Sequence, residues 1–205
     1  MLSRSIVVEK NFSSAASTYD SAASFQRIAA ELFANFICRY EFGRSAPSSV
    51  LELGAGSGLL SAYLRVLFPD AKLTVSDLSG KMLEICRNKF SIVSDMSFEC
   101  ADFNRPLNHF YGRFDVALSS MAMHWAEDFD SSLKYVSEPL RDENSRFYLC
   151  LPLAESTEIL KKLFESESLL FQGLELPQLE SIIPHLDRNG FSLLAYETAE
   201  TLERY

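Results

Sequence analysis

The spacing of apolar and polar positions changes near residue 47. Upstream, Phe25, Ile28, Ala29, Leu32, Phe36 and Ile37 recur three and four residues apart, so residues 12–46 read as helical. Asp20 or Ser21 is the expected cap of that helix, and Gly43 with Pro47 its expected stop. Downstream, short apolar runs alternate with amphipathic segments. SVLELGAG reads as a strand, GLLSAYLRVLF as a helix ended by Pro69, KLTVSDLS as a strand and GKMLEICRNKF as a helix. SFECADF and FDVALSSMAM follow as strands, then DSSLKYVSEPL as a helix and RFYLCLPL as a strand. STEILKKLFESESLLF and LPQLESIIPHL read as helices before a last strand, GFSLLAYET. Strands and helices alternating at this spacing predict a doubly wound α/β fold, a mostly parallel sheet with helices on both faces. On such a sheet ligands bind beyond the carboxyl ends of the strands, where the strand order reverses. Every residue with conspicuous chemistry falls at such an end.

Composition narrows the partners. The 205 residues fit one compact domain, divided on the pattern above into a helical lid segment, 1–46, and a ligand-binding domain, 47–205. Nineteen basic against 28 acidic residues give a net charge of -9, which argues against nucleic acid, since that partner needs clustered bases. No stretch approaches the roughly 20 apolar residues of a membrane span, and the apolar run in MLSRSIVVEK is too short for a signal peptide. The four cysteines, Cys38, Cys86, Cys100 and Cys150, lie too far apart for a C-x-x-C pair, so no metal is expected and a reducing cytoplasm fits them. The oligomeric state is not legible.

The glycines carry the chemistry. Gly54, Gly56 and Gly58 follow the first strand and open a helix, with Ala55 between them. Missing β-carbons allow a sharp turn and let a ligand lie against the backbone. A dinucleotide loop wants G-x-G-x-x-G, but the third glycine here comes one residue early, and no Gly-Lys-Ser/Thr follows as a phosphate loop requires. Glu52, two residues ahead of Gly54, would repel a pyrophosphate and attract an ammonium or sulfonium. A cationic, phosphate-free nucleoside, S-adenosyl-L-methionine, is the ligand that fits. Asp77 ends the second strand 19 residues after Gly58, where an acid accepts both ribose hydroxyls. Asp102 ends the third, where it would accept from the adenine amino group, and Leu78 and Phe103 would sandwich the ring.

ELGAGSG, DLSGKML, ADF and FDVALSSMAMHW together resemble the successive motifs of class I S-adenosylmethionine-dependent methyltransferases, whose core is a Rossmann-like sheet. The opening NFSSAASTYDSAASFQRIAAEL is similar to that of the malonyl-[acyl-carrier protein] O-methyltransferases of biotin synthesis, with F-x-x-A-A-x-x-Y-D-x-x-A-x-x-Q ahead of a helix. That family usually has Gln where His124 precedes Trp125, and trans-aconitate and quinone-precursor methyltransferases share parts of the pattern. Its members continue past the sixth strand with a helix and an antiparallel seventh strand, so the expected sheet lacks its last strand.

The resemblance implies methyl transfer to the free carboxylate of a malonyl thioester on acyl-carrier protein or coenzyme A. It places Tyr19 in the lid, His124 and Trp125 near the methyl group, and Ser119 and Met82 by the cofactor. Ordinary packing is the plain alternative for each of these five. A carboxylate is already ionised at neutral pH, so no catalytic base is expected. Arg4, Lys10, Arg27, Arg39 and Arg44 are the bases available to an acidic carrier protein. Methyl transfer to another small carboxylate or a quinone precursor, and a catalytically silent cofactor-binding assembly partner, are the competing functions.

Overall fold

The computed structural model describes residues 3–158 and 175–200. Five parallel strands form one sheet in the order β3-β2-β1-β4-β5: β1 (Ser49–Leu53), β2 (Lys72–Asp77), β3 (Met96–Cys100), β4 (Val116–Ser120) and β5 (Arg146–Cys150). The chain winds outward from β1 to β3, then returns to lay β4 on the other side of β1. The crevice where the order reverses therefore opens between β1 and β4. Register follows the apolar pattern, with Val50 facing Leu73 on one side and Val116 on the other.

Helices cover both faces. On one, α3 (Ser24–Glu41), α4 (Leu59–Leu67) and α5 (Gly80–Lys89) bury Ile37, Leu64 and Cys86 with Val50, Val75 and Leu118. On the other, α6 (Phe129–Ser137) and α7 (Leu179–Arg188) cover Leu51, Leu53, Ala117 and Met123. Alternate residues of β1 thus serve opposite cores, as the period of a strand requires.

The N-terminal region differs from the single helix expected. It forms α1 (Arg4–Ala15), a short α2 (Tyr19–Ala22) and then α3. Serine and threonine hydroxyls make the break. Thr18 Oγ1 donates to the Ala15 carbonyl and Ser21 Oγ to that of Thr18, competing with helix propagation. Neither Asp20 nor Ser21 caps α3, which starts at Ser24; the Asp20 carboxylate is bonded elsewhere.

GFSLLAYET is not a strand. Residues 191–200 pair with no strand, and Leu193, Leu194 and Tyr196 are exposed. An apolar run becomes a strand only when a neighbour supplies the ladder, and among the described residues none does. All but the first three residues of the expected helix STEILKKLFESESLLF lie outside the described residues. No described helix is long and apolar enough to cross a membrane.

Candidate active site

The glycine loop is pinned from below. Ala55 N–H donates to the Ser76 carbonyl at 2.9 Å, and Gly56 N–H donates to Asp77 Oδ2 at 2.8 Å. Each glycine has its own reason. At Gly54 (φ +71°) a β-carbon would stand 2.3 Å from Ala122 Cβ, so the loop and the end of β4 can meet only with hydrogen there. At Gly56 (φ +56°) a β-carbon would meet nothing closer than ordinary contact, with Met82 Cε at 3.7 Å and the Tyr19 ring at 3.9 Å, so the glycine answers to its left-handed φ and not to a clash. Gly58 (φ +88°) serves packing instead, since its β-carbon would strike Cys86 Sγ at 2.6 Å and Phe90 at 2.9 Å.

The acids stand around this loop. Glu52 is 2% exposed and accepts from Ser61 Oγ at 2.5 Å. Burial raises its carboxyl to about 7 against the pull of the Ser61 bond, with the Asp77 charge adding to the rise. Asp77 is raised by burial too, opposed by the N–H groups of Ser79 and Gly56, so it shapes the loop as well as facing the cleft. Asp102 Oδ1 accepts from the backbone and side chain of Asn104.

A roof closes the crevice. Arg4 donates to the Ala126 carbonyl at 2.8 Å, Ser5 N–H to Glu127 Oε1 at 2.9 Å, and Ser13 and Ser79 hydroxyls meet at 2.8 Å, strapping α1 across the strand ends. Phe12 stacks edge-on against both Tyr19 and Trp125. The resulting cleft encloses about 810 Å³ counted out to solvent, within the usual range for small-molecule sites.

Of the residues singled out from the sequence, Tyr19, Glu52, Gly54, Ala55, Gly56, Asp77, Leu78, Asp102, Phe103 and Trp125 line this cleft. Gly58, Met82, Ser119 and His124 do not. Met82 is fully buried beneath the loop. Ser119 points its hydroxyl into the protein, where neither it nor His124 Nδ1 has a hydrogen-bond partner among the described residues. Burial lowers the His124 imidazole to about 4, so the ring is neutral.

Sequence reasoning missed Ser5, Phe12, Gln26, Asn104, Ser120 and Met121, which also line the cleft. Phe12 and Gln26 stand at fixed positions of the N-terminal motif quoted above, a signal that was available. Met121 owes its place to a left-handed φ of +51° after β4, which no residue type announces.

The cleft lining holds three carboxylates and, among the described residues, no lysine or arginine. A pyrophosphate would find no counter-charge, whereas a cationic nucleoside finds three, together with a bare glycine backbone. The residues present fit S-adenosyl-L-methionine.

Known proteins agree. A family model described as "Methyltransferase domain" matches residues 50–143. Malonyl-[acyl-carrier protein] O-methyltransferase of Bacillus cytotoxicus is 31% identical over 139 residues, 67% of this chain and 47% of the relative. Its namesake from Laribacter hongkongensis is 33% identical over 143 residues, 65% of this chain and 46% of the relative. The chain spans about half the length of the curated relatives it matches. A solved S-adenosylmethionine-dependent methyltransferase from Mesorhizobium loti superposes with a TM-score of 0.58 at 19% identity, over 76% of this chain and 80% of that one. The sheet order, the loop at the switch point and these matches show a methyltransferase-type domain over residues 50–143 that is similar to class I S-adenosylmethionine-dependent methyltransferases, with a cleft that fits S-adenosyl-L-methionine, in a chain that resembles the malonyl-[acyl-carrier protein] O-methyltransferases.

Proposed function

We propose that the protein methylates the free carboxylate of a malonyl thioester carried on acyl-carrier protein or coenzyme A. The observation that carries the methyl-transfer part is the acid-lined, base-free cleft above the bare loop at the switch point. The names of the Bacillus and Laribacter relatives support the choice of acceptor.

S-adenosyl-L-methionine, when bound, supplies an electrophilic methyl group on a positively charged sulfur. Glu52 would stand by that positive part of the ligand, and Asp77, which holds Gly56 in place, would accept from the ribose hydroxyls. Asp102 would accept from the adenine amino group, and Leu78 and Phe103 would pack against the ring. α1 and α2 form the lid, whereas α3 belongs to the core through Ala30, Phe33, Ala34 and Ile37. Tyr19 and Phe12 would exclude water, and Trp125 would supply an aromatic ring to the cation.

The acceptor carboxylate is ionised before it arrives, so no side chain has to remove a proton. Neutral His124 is in keeping with this, because a base of pKa about 4 would be weak. What the residues contribute is alignment and dryness, a proximity effect worth up to about 7–11 kcal/mol. The aromatic and aliphatic residues of the lining, Phe12, Leu59, Leu60 and Phe103 among them, would give an apolar enclosure, which favours a reaction in which opposite charges cancel.

The test supplies cofactor with a labelled methyl group and malonyl carrier protein. A mass gain of one methyl on the acyl group, reversed by ester hydrolysis, is the expected result. Cofactor binding with no transfer to any malonyl thioester would remove the acceptor and leave the cofactor site standing.

A further inference from the structure

Beside the cleft, three residues from three elements close a ring that the cofactor contacts do not use. Asp20 of α2 accepts from Ser57 Oγ at 2.5 Å, and its other carboxylate oxygen lies 2.5 Å from Lys89 Nζ. Lys89, the last residue of α5, also donates to the Ser57 carbonyl at 2.8 Å. Arg27 of α3 donates to the Asp20 carbonyl at 2.7 Å, fixing the backbone of the same residue. Gly58 permits this meeting, because its missing β-carbon lets Cys86 and Phe90, and with them the end of α5, come up to the loop.

We infer that Asp20 is the positioning residue that holds Tyr19 down on Gly56 and so governs how fast the lid releases its ligand. Tyr19 precedes Asp20 directly, and its ring lies within 4.0 Å of the place a Gly56 β-carbon would occupy. The Asp20–Lys89 pair is partly exposed, 42% and 35%, so the charge contact alone is weak. The Ser57 bond is the stronger edge. Ser57 is 1% exposed, and Asp20 Oδ1 is the acceptor its hydroxyl bonds to. From Tyr19 the coupling runs by ring contact through Phe12 to Trp125, the single tryptophan of the chain. Lid position is therefore readable without any ligand.

The inference rests on the cofactor site proposed above, and the experiment separates the two. Calorimetry with S-adenosylhomocysteine on the wild-type chain comes first; no binding there would sink the cofactor reading. Acrylamide quenching of Trp125 in the ligand-free protein tests the ring in either case. Asp20→Ala and Ser57→Ala are each expected to raise quenching and to speed stopped-flow release of S-adenosylhomocysteine about tenfold. Asp20→Asn, which still accepts from Ser57, should restore most of the wild-type rate, and the double variant should be no faster than Asp20→Ala. Wild-type release and quenching in a folded Asp20→Ala, or effects of the two substitutions that simply multiply, would overturn the inference. Should Asp20→Ala not fold, Asp20→Asn against Ser57→Ala decides the same point, and equal rates in those two would overturn it.

Discussion

Replacing Glu52 with glutamine should stabilise the empty protein and weaken its hold on a cation, with pH dividing the two effects. The side chain is 2% exposed, and Ser61 Oγ donates to it at 2.5 Å. Burial dominates the rise of its carboxyl from an ordinary 4.5 to about 7. Keeping it ionised in the folded chain therefore costs about 3 kcal/mol once the pH exceeds 7. The folded state holds this proton more tightly than the unfolded state does. The stability it contributes is thus complete below 4.5 and lost as pH rises through 7. Glutamine keeps the shape and can still accept from Ser61. The variant should gain about 2–3 kcal/mol at pH 8 and little at pH 4.5. Binding reverses the preference, because a cation calls for the carboxylate and expels the proton. Wild-type affinity for S-adenosylmethionine should climb by up to about tenfold per pH unit below 7 and level off above it. The variant should bind more weakly, with a shallower slope. Urea unfolding at pH 4.5 and 8, with calorimetric titrations between pH 5.5 and 8, measures both. Equal stability of the two proteins at pH 8, or parallel slopes of affinity, would refute the reasoning.

Asp77→Ala should weaken cofactor binding by about 1–3 kcal/mol in calorimetry, since it also strips the Gly56 and Ser79 N–H groups of their acceptor. Unchanged affinity would take Asp77 out of the site. Gly54→Ala drives a β-carbon to 2.3 Å from Ala122 Cβ and adds left-handed strain of about 1–2 kcal/mol. Ala122→Gly should recover the clash but not the strain, which denaturation midpoints of the single and double variants will show. His124 sets the acid limit. Its depressed pKa leaves its stability contribution intact above 6.5 and loses it as pH falls towards 4, by about 2 kcal/mol between pH 7 and 5. In His124→Gln that fall should vanish from the stability–pH curve. Cofactor affinity should barely move, because the ring does not line the cleft.

Legibility varied from element to element. The inner strands β1, β2 and β4 could be read because each is a short, largely apolar run ended by Gly, Asp or Ser, and parallel strands buried on both faces need such runs, while the edge strands β3 and β5 are legible from their alternation with helices. Glu52 and Asp77 stood out because a carboxylate among apolar neighbours is costly unless something uses it. GFSLLAYET misled for the same reason that strands are readable. Its pattern is right, but no described strand pairs with it.

Local spacing by itself determined the parallel α/β frame, the bare loop after the first strand and the acids at the strand tips, because these depend on residue type at short range. Tertiary structure alone decided which glycine serves a ligand and which serves a helix. Gly56 and Gly58 are indistinguishable in the motif, yet a β-carbon at one would meet only ordinary contacts with Met82 and the cleft residue Tyr19, while at the other it would strike Cys86 and Phe90. It also decided that Asp20, a capping residue by its sequence, spans to Ser57 and Lys89, which are 37 and 69 positions away along the chain. Contacts at such separations come from how the sheet and its helices pack, and a one-dimensional pattern holds no record of that distance.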